Sequence, residues 1–431
     1  MRIAYIATGA AGMYCGTCLH DNTLASALIR KGHNVALIPT YTPIRTDEED
    51  VSMDQIFYGG INVFLQQKSE FFRHSHKLLD RVLDSPTLLN RLAGLSSSTD
   101  AKDLGELTVS VMKGADGKQK KELDRLVDWL KAGYDPELVH LNNCMFLGMA
   151  PEIKKHINVP VVCGLTGEDL FVQDMPEPYR SETLDLMGKR SQDVNAFISP
   201  SNYYADFMSE YLKIPREKIH VIPLGINLKG HGEQPYERSL EPFVIGFLAR
   251  ICPEKGFHIA AEVFEILAKQ LGSAKIKFTA AGYLSKKDLP FFQKTLKRLK
   301  DSGFYDSFEY WGEVDRKRKI EFLNSIHILS VPAPYKEPKG LYVLEALANG
   351  VPVVQPPHGS FPELVQATGG GILSKSASAQ DLADAILTLI QNPDRLKELG
   401  STGKVAVHAK FHDDQMADET LALYNKFVIN K

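Results

Sequence analysis

The chain has 431 residues, more than one hydrophobic core sustains, so two domains are expected. Its 44% apolar and 24% charged residues are ordinary for a globular protein, and a net charge of −3 argues against a broad nucleic-acid footprint. Five cysteines, an odd number mostly in or beside strand-like runs, point to a reducing, cytoplasmic setting, with neither a signal-peptide pattern nor the roughly 20 apolar residues of a membrane span.

In chain order, short apolar runs alternate with helical periodicity. Candidate strands in the first half are 2–8, 34–40, 61–67, 138–143, 159–165, 194–200 and 219–225. Continuous apolar runs of this kind suit parallel strands covered on both faces. After the first strand come glycines 9, 12 and 16, with a helix expected from about Leu19. Their spacing is not G-x-G-x-x-G, and no acidic residue ends the second strand, which disfavours NAD; no P-loop motif is present either. Cys15 and Cys18 form a C-x-x-C without the second pair that a zinc site needs.

Residues 66–130 interrupt the alternation with an amphipathic helical pattern. This insertion is expected to pack as an extra helical layer, to shape an acceptor site, or to make peripheral membrane contact. The polar, Gly- and Pro-bearing stretch 228–242 reads as a linker. Strands then resume at 243–249, 275–282, 307–312, 326–333 and 351–357, with Ala260, Val263, Phe264, Leu267 and Leu271 marking the buried face of a helix. The expected class is α/β: two Rossmann-like, doubly wound parallel-sheet domains facing across a cleft.

The most informative segment is 335-YKEPKGLYVLEALANGVPVV-354. A helix of good formers begins after Gly340, ends at Asn349-Gly350, and carries Glu337 just before it and Glu345 inside it. Helix starts hold unpaired N–H groups and partial positive charge, so this one suits phosphate. Glu337 and Glu345 would flank that site as acceptors for sugar and ribose hydroxyls. Arg250 and Lys255, in the loop after the strand at 243–249, add two cations where parallel sheets bind ligands. On spacing alone the carboxylates read equally well as ordinary loop and solvated-helix groups, and the two cations, without the first motif, read as ordinary surface charges of a βα loop.

With these motifs the sequence resembles the retaining GT-B glycosyltransferases, specifically glycosyltransferase family 4. The likeness runs from 9-GAAGMYCG-16 through 220-HVIPLGIN-227, the Arg250/Lys255 pair, 310-YWGEV-314 and the E-x7-E segment to 411-FHDDQMADETLALYNKFV-428. It implies domains at 1–227 and 243–410, with 411–431 as a helix crossing back to the first domain. It also implies transfer of a hexosyl group, with retention and without a metal, from a UDP- or GDP-linked sugar to a glycan, lipid or small-molecule acceptor.

In that scheme Arg250 and Lys255 stabilise the leaving diphosphate, Glu337 meets the donor sugar and Glu345 the ribose. Backbone groups of Gly12, Met13, Gly340, Leu341 and Tyr342 meet the phosphates. Where many family members place a histidine after the strand at 159–163, this chain has Thr166; Glu168, Asp169 and His20 are the alternatives for that role. Leu224 and Asn227 replace the usual Asn and Asp of a P-N-G-x-D stretch. A nucleotide-sugar epimerase and a non-catalytic sugar-binding relative are the competing readings. Replacing Glu337 by Ala is expected to cut turnover with little loss of stability.

Overall fold

The computed structural model describes residues 1–9, 14–73, 101–233 and 239–429. Gly12, Met13 and the central part of the 66–130 insertion, with His74 and His76, lie outside them. The chain divides into two compact units, one of Met1–Pro223 with Asp413–Lys431 and the other of Leu224–His412.

The first unit holds strands β1 Arg2–Thr8, β2 Asn34–Thr40, β3 Leu138–Leu141, β4 Val161–Gly164, β5 Ala196–Ser199 and β6 Ile219–Val221. They form one six-stranded sheet in the order β2-β1-β3-β4-β5-β6, with every neighbouring pair parallel. Alternation along each strand feeds two cores. Ile3, Tyr5, Leu138 and Val162 face a cluster with Leu24, Leu28, Met416 and Leu423. Ala4, Ile6, Val139 and Val161 face the opposite one, with Leu126, Phe146 and Met208. Covering on both faces explains why these strands read as unbroken apolar runs.

Two expectations need correction here. Residues 61–67 are not a strand but the helix Gly60–Lys68. Its Asn62 and Gln66, four apart and hence on one face, both donate to the buried Glu122 carboxylate at 2.9 Å. The apolar letters Ile61, Val63, Phe64 and Leu65 there hid a polar seam. The first helix spans Gly16–Arg30, starting three residues before Leu19. It contributes Cys18, Leu24 and Leu28 to the core.

The second unit holds β7 Phe243–Leu248, β8 Ile276–Ala281, β9 Phe308–Tyr310, β10 Ile328–Leu329, β11 Val353–Gln355 and β12 Gly371–Leu373. The last of these was not anticipated; its Gly371 and Ile372 carry too little pattern. The order is β12-β11-β10-β7-β8-β9, again all parallel. The chain leaves β7 to one side for β8 and later returns to its other side for β10. Such a switch point opens a crevice beyond the carboxyl ends of the two central strands.

Candidate functional site

Two loops meet at the switch point of the second sheet. After β7 the chain passes Arg250, buries Ile251 and Cys252, and makes one tight turn at Pro253–Lys255 before the helix Phe257–Leu271. Gly256 sits at φ +75°, and a Cβ there would lie 2.0 Å from the Pro332 carbonyl oxygen. Glycine therefore lets the Lys255 turn press against the chain leaving β10. That chain continues to Gly340, at φ +69°, and the helix Leu341–Ala348.

Glu337 is 5% exposed, and its carboxylate pairs with the Lys255 ammonium. Tyr342 Oη donates to Glu337 Oε2 at 3.4 Å, and the Lys339 N–H reaches Oε1 at 3.4 Å. Lys255 Nζ also lies 5.7 Å from the Tyr342 ring centroid. Burial alone would raise the Glu337 carboxyl, but the Lys255 charge and hydrogen bond outweigh it and hold it below the ordinary carboxylate value. Burial, with Glu337 adjoining, pushes the Tyr342 phenol well up, so it stays a neutral donor.

The Glu337 backbone is clamped as well. Its carbonyl accepts from the Ser360 N–H at 2.8 Å, and Gly359 approaches so closely that a Cβ would stand 2.7 Å from that oxygen. A buried, paired Glu337 overturns the expectation that Glu337→Ala is nearly neutral for stability, because removal strands the Lys255 ammonium.

The mouth of the helix Leu341–Ala348 is open for a ligand in the hydrogen-bonding sense. Gly340 supplies no side-chain cap, and the first backbone bond is Val343 N–H to Gly340 O at 2.9 Å. The N–H groups of Leu341 and Tyr342 have no acceptor among the described residues. Further along, Glu345 is buried and accepts from Lys319 Nζ at 2.5 Å. A solvated Glu345, the bland sequence reading, is excluded.

Arg250 stands apart: its side chain is exposed and holds no ion pair or hydrogen bond among the described residues. The structure thus joins Lys255, Glu337, Gly340, Leu341 and Tyr342. It places Arg250 five residues before Lys255 in the same loop, without a contact to them.

In the first unit, the proposed acceptor-side residues divide. Glu168 is buried and accepts from the N–H groups of Thr166 at 2.6 Å and Cys144 at 3.2 Å. Asp169 is buried and accepts from Tyr204 Oη at 2.7 Å, while the same hydroxyl accepts from the Gly167 N–H at 3.0 Å. Both carboxylates thus tie this turn to other segments, Glu168 to Cys144 and Asp169 to Tyr204. Thr166 is half-buried beside them. His20 is half-buried, with Nδ1 3.1 Å from Asp21 Oδ1.

Asp21 itself is fully buried, accepting from Tyr5 Oη at 2.7 Å and Asn142 Nδ2 at 2.8 Å. Tyr5 stacks on His140 at 4.2 Å, and His140 Nδ1 meets Tyr424 Oη at 2.6 Å. Burial keeps that imidazole neutral down to about 3. This buried polar chain was not foreseen; Asp21 inside an otherwise apolar helix face was its only signal. The acidic pair Asp413 and Asp414 is spanned by Arg30 at 2.6 and 3.1 Å.

Comparison with known proteins bears on both halves. Residues 233–405 match the family model for glycosyl transferases group 1, and 117–229 that for Glycosyltransferase Family 4. A D-inositol 3-phosphate glycosyltransferase of Segniliparus rotundus is 27% identical over 288 residues, 63% of this chain and 62% of the relative. Matches to other curated relatives span about half of their length, 48% for one glycosyltransferase of Erwinia amylovora. Sucrose-phosphate synthase of Thermosynechococcus elongatus superposes with TM-score 0.71 at 18% identity, over 100% of both chains. Anabaena Alr3699/HepE in complex with UDP gives 0.68 at 16% identity, over 99% of this chain and 100% of that one. Among the described residues no helix is long and apolar enough to cross a membrane.

Proposed function

Since the chain belongs to the GT-B glycosyltransferases, joining a family 4 half to a group 1 half, we propose that it transfers a hexosyl group from a nucleotide diphosphate sugar with retention and without a metal. The observation that carries this is the mouth of the helix Leu341–Ala348. Two N–H groups lacking acceptors among the described residues stand there beside a buried Lys255–Glu337 pair, an arrangement suited to a diphosphate. UDP is bound by the fold relative from Anabaena, and GDP-mannose is named for a mycobacterial relative, so UDP and GDP are the bases to test first.

Chemically, the bond between the sugar's anomeric carbon and the diphosphate oxygen breaks, and an acceptor oxygen bonds to that carbon on the same face. The departing phosphate takes the acceptor's proton. The chain's contribution is to stabilise the negative charge developing on the diphosphate. The Leu341 and Tyr342 amides do this through the helix start, Lys255 through its ammonium, and Arg250 through a guanidinium that has no other partner among the described residues. Glu337 orients Lys255 and offers its remaining hydrogen-bonding capacity to sugar hydroxyls. On the acceptor side His20 and Thr166 stay available, with a glycan, lipid or small molecule as the class of acceptor. Where the chain resides is proposed as cytoplasmic, in keeping with its five free cysteines.

The experiment is a thermal-shift and turnover screen of UDP- and GDP-sugars with wild type and Arg250→Ala. A nucleotide should raise the melting temperature of wild type, and Arg250→Ala should lose most of that rise while melting unchanged without ligand. Product anomeric configuration, read by NMR, and activity in chelator test retention and metal independence. No shift with any nucleotide, or an unaffected Arg250→Ala, defeats the proposal.

A further inference from the structure

The helix Arg316–Ser325 opens with four consecutive cations, Arg316, Lys317, Arg318 and Lys319. Positive charge in a first helical turn opposes the backbone dipole, so local propensity does not account for them. Arg316 donates to the carbonyl oxygens of Asn227 and Lys229 at 2.7 Å, and Arg318 lies 5.6 Å from the Trp311 ring centroid. Lys317 borders a cavity of about 410 Å³ that it shares with Glu233 and Glu321. Of the four only Lys319 is buried, on the face shared with Phe322 and Leu323 three and four residues on.

An apolar residue would fill that place without desolvating an ammonium, and buried ion pairs seldom add stability over such a replacement. Lys319 instead spends its charge on Glu345. The Glu345 backbone is already tied down: its carbonyl accepts from Asn349 Nδ2 at 2.8 Å, and that amide meets His231 Nδ1 at 2.7 Å. The Lys319 contact acts on the carboxylate itself and so bears on its direction.

We infer that Lys319 is a positioning residue of the nucleotide site, holding Glu345 so that its carboxylate receives the two ribose hydroxyls. The inference rests on the nucleotide-sugar reading above, since a diphosphate at Leu341 and Tyr342 brings the ribose to the same helix. A carboxylate whose plane is set beforehand accepts from paired hydroxyls at a lower ordering cost. Lys319 acts through Glu345 and touches no reacting atom.

The test compares a ribonucleotide with its counterpart lacking both hydroxyls: UDP, GDP and ADP against their 2′,3′-dideoxy forms, by calorimetric titration. Wild type should prefer the ribonucleotide by at least about ten-fold, since the dideoxy form lacks both hydroxyls that the carboxylate would accept. Lys319→Met should bring that ratio to about two-fold or less, chiefly by weakening the ribonucleotide. A role confined to packing would lower melting temperature and weaken both nucleotides equally, leaving the ratio intact. Should Lys319→Met fail to fold, Lys319→Gln, whose amide still donates to Glu345, reads the same ratio and should give an intermediate value. A folded variant of either kind with the wild-type ratio overturns the inference while leaving the nucleotide site standing. If wild type binds none of the three diphosphates, the nucleotide-sugar reading falls and this inference with it.

Discussion

Replacing Lys255 by Met keeps the aliphatic stem and deletes the ammonium. The Glu337 carboxylate, 5% exposed, is then left without its cation. Breaking a buried ion pair from one side costs about 3–5 kcal/mol, and the 17% exposure of the Lys255 side chain argues for the lower end. For a unit of this size each kcal/mol lowers the melting temperature by about 2–4 °C, so the second unit should melt about 6–12 °C lower. The double variant Lys255→Met/Glu337→Gln leaves no stranded charge and should recover more than half of that loss. Both variants lack the cation proposed to meet the phosphates, and each should bind UDP or GDP about ten- to hundred-fold more weakly. The two effects thus separate: stability follows the pair, and affinity follows Lys255. Acid adds a sign check. Without Lys255 only the weaker Lys339 and Tyr342 contacts oppose the upward push of burial on Glu337, so its carboxyl takes up a proton more readily and the single variant's deficit shrinks as pH falls. Scanning calorimetry and titration calorimetry measure both quantities. A Lys255→Met protein melting within about 2 °C of wild type would refute the reasoning, as would a double variant with undiminished nucleotide affinity.

Gly359→Ala should fold yet lose nucleotide affinity by at least about ten-fold, because φ +63° is strained for Ala and its Cβ would displace the Glu337 carbonyl. Titration with UDP and GDP checks this; unchanged affinity would show that the Glu337 loop tolerates the shift. His140 gives a pH prediction for the first unit. It stays neutral down to about 3 when folded, whereas an unfolded histidine takes up its proton near 6.5. Between those values the unfolded chain binds more protons, so stability drops as pH falls through the window, by up to about 1.4 kcal/mol per pH unit from this residue. Denaturant melts at pH 7 and 5 should show a smaller pH effect in His140→Gln than in wild type. Equal slopes would remove His140 as the cause.

Strand positions were legible because both faces of each sheet are covered, which leaves unbroken apolar runs such as 2–8 and 243–248. The same criterion failed at 61–67, where helical spacing of Asn62 and Gln66 mattered more than the intervening Val63 and Phe64. It also missed the short edge strand at 371–373. The helix mouth was legible from Gly340 and the run of good helix formers after it. Which side chains meet there was not. Lys319 and Gly359 lie 18 residues before and 22 residues after Glu337 in the chain. Only the closeness of β7, β10 and β11 brings such distant loops together. Glu168 and Asp169 carry the right chemistry for an acceptor site, but their bonds to Cys144 and Tyr204, 24 and 35 residues away, are ones that composition cannot reveal.

The membership of Asp413–Val428 in the first unit bears on how the protein is born. On the ribosome, segment 224–412 emerges between the two parts of that unit and, at about 5–20 residues per second, delays its last helix by on the order of 10–40 s. Until then Ile3, Ala25 and Leu28 lack the cover of Met416 and Leu423, and His140 lacks Tyr424. The half translated first is therefore the half completed last, and a nascent chain from which 413–428 have yet to emerge would present that uncovered flank to chaperones.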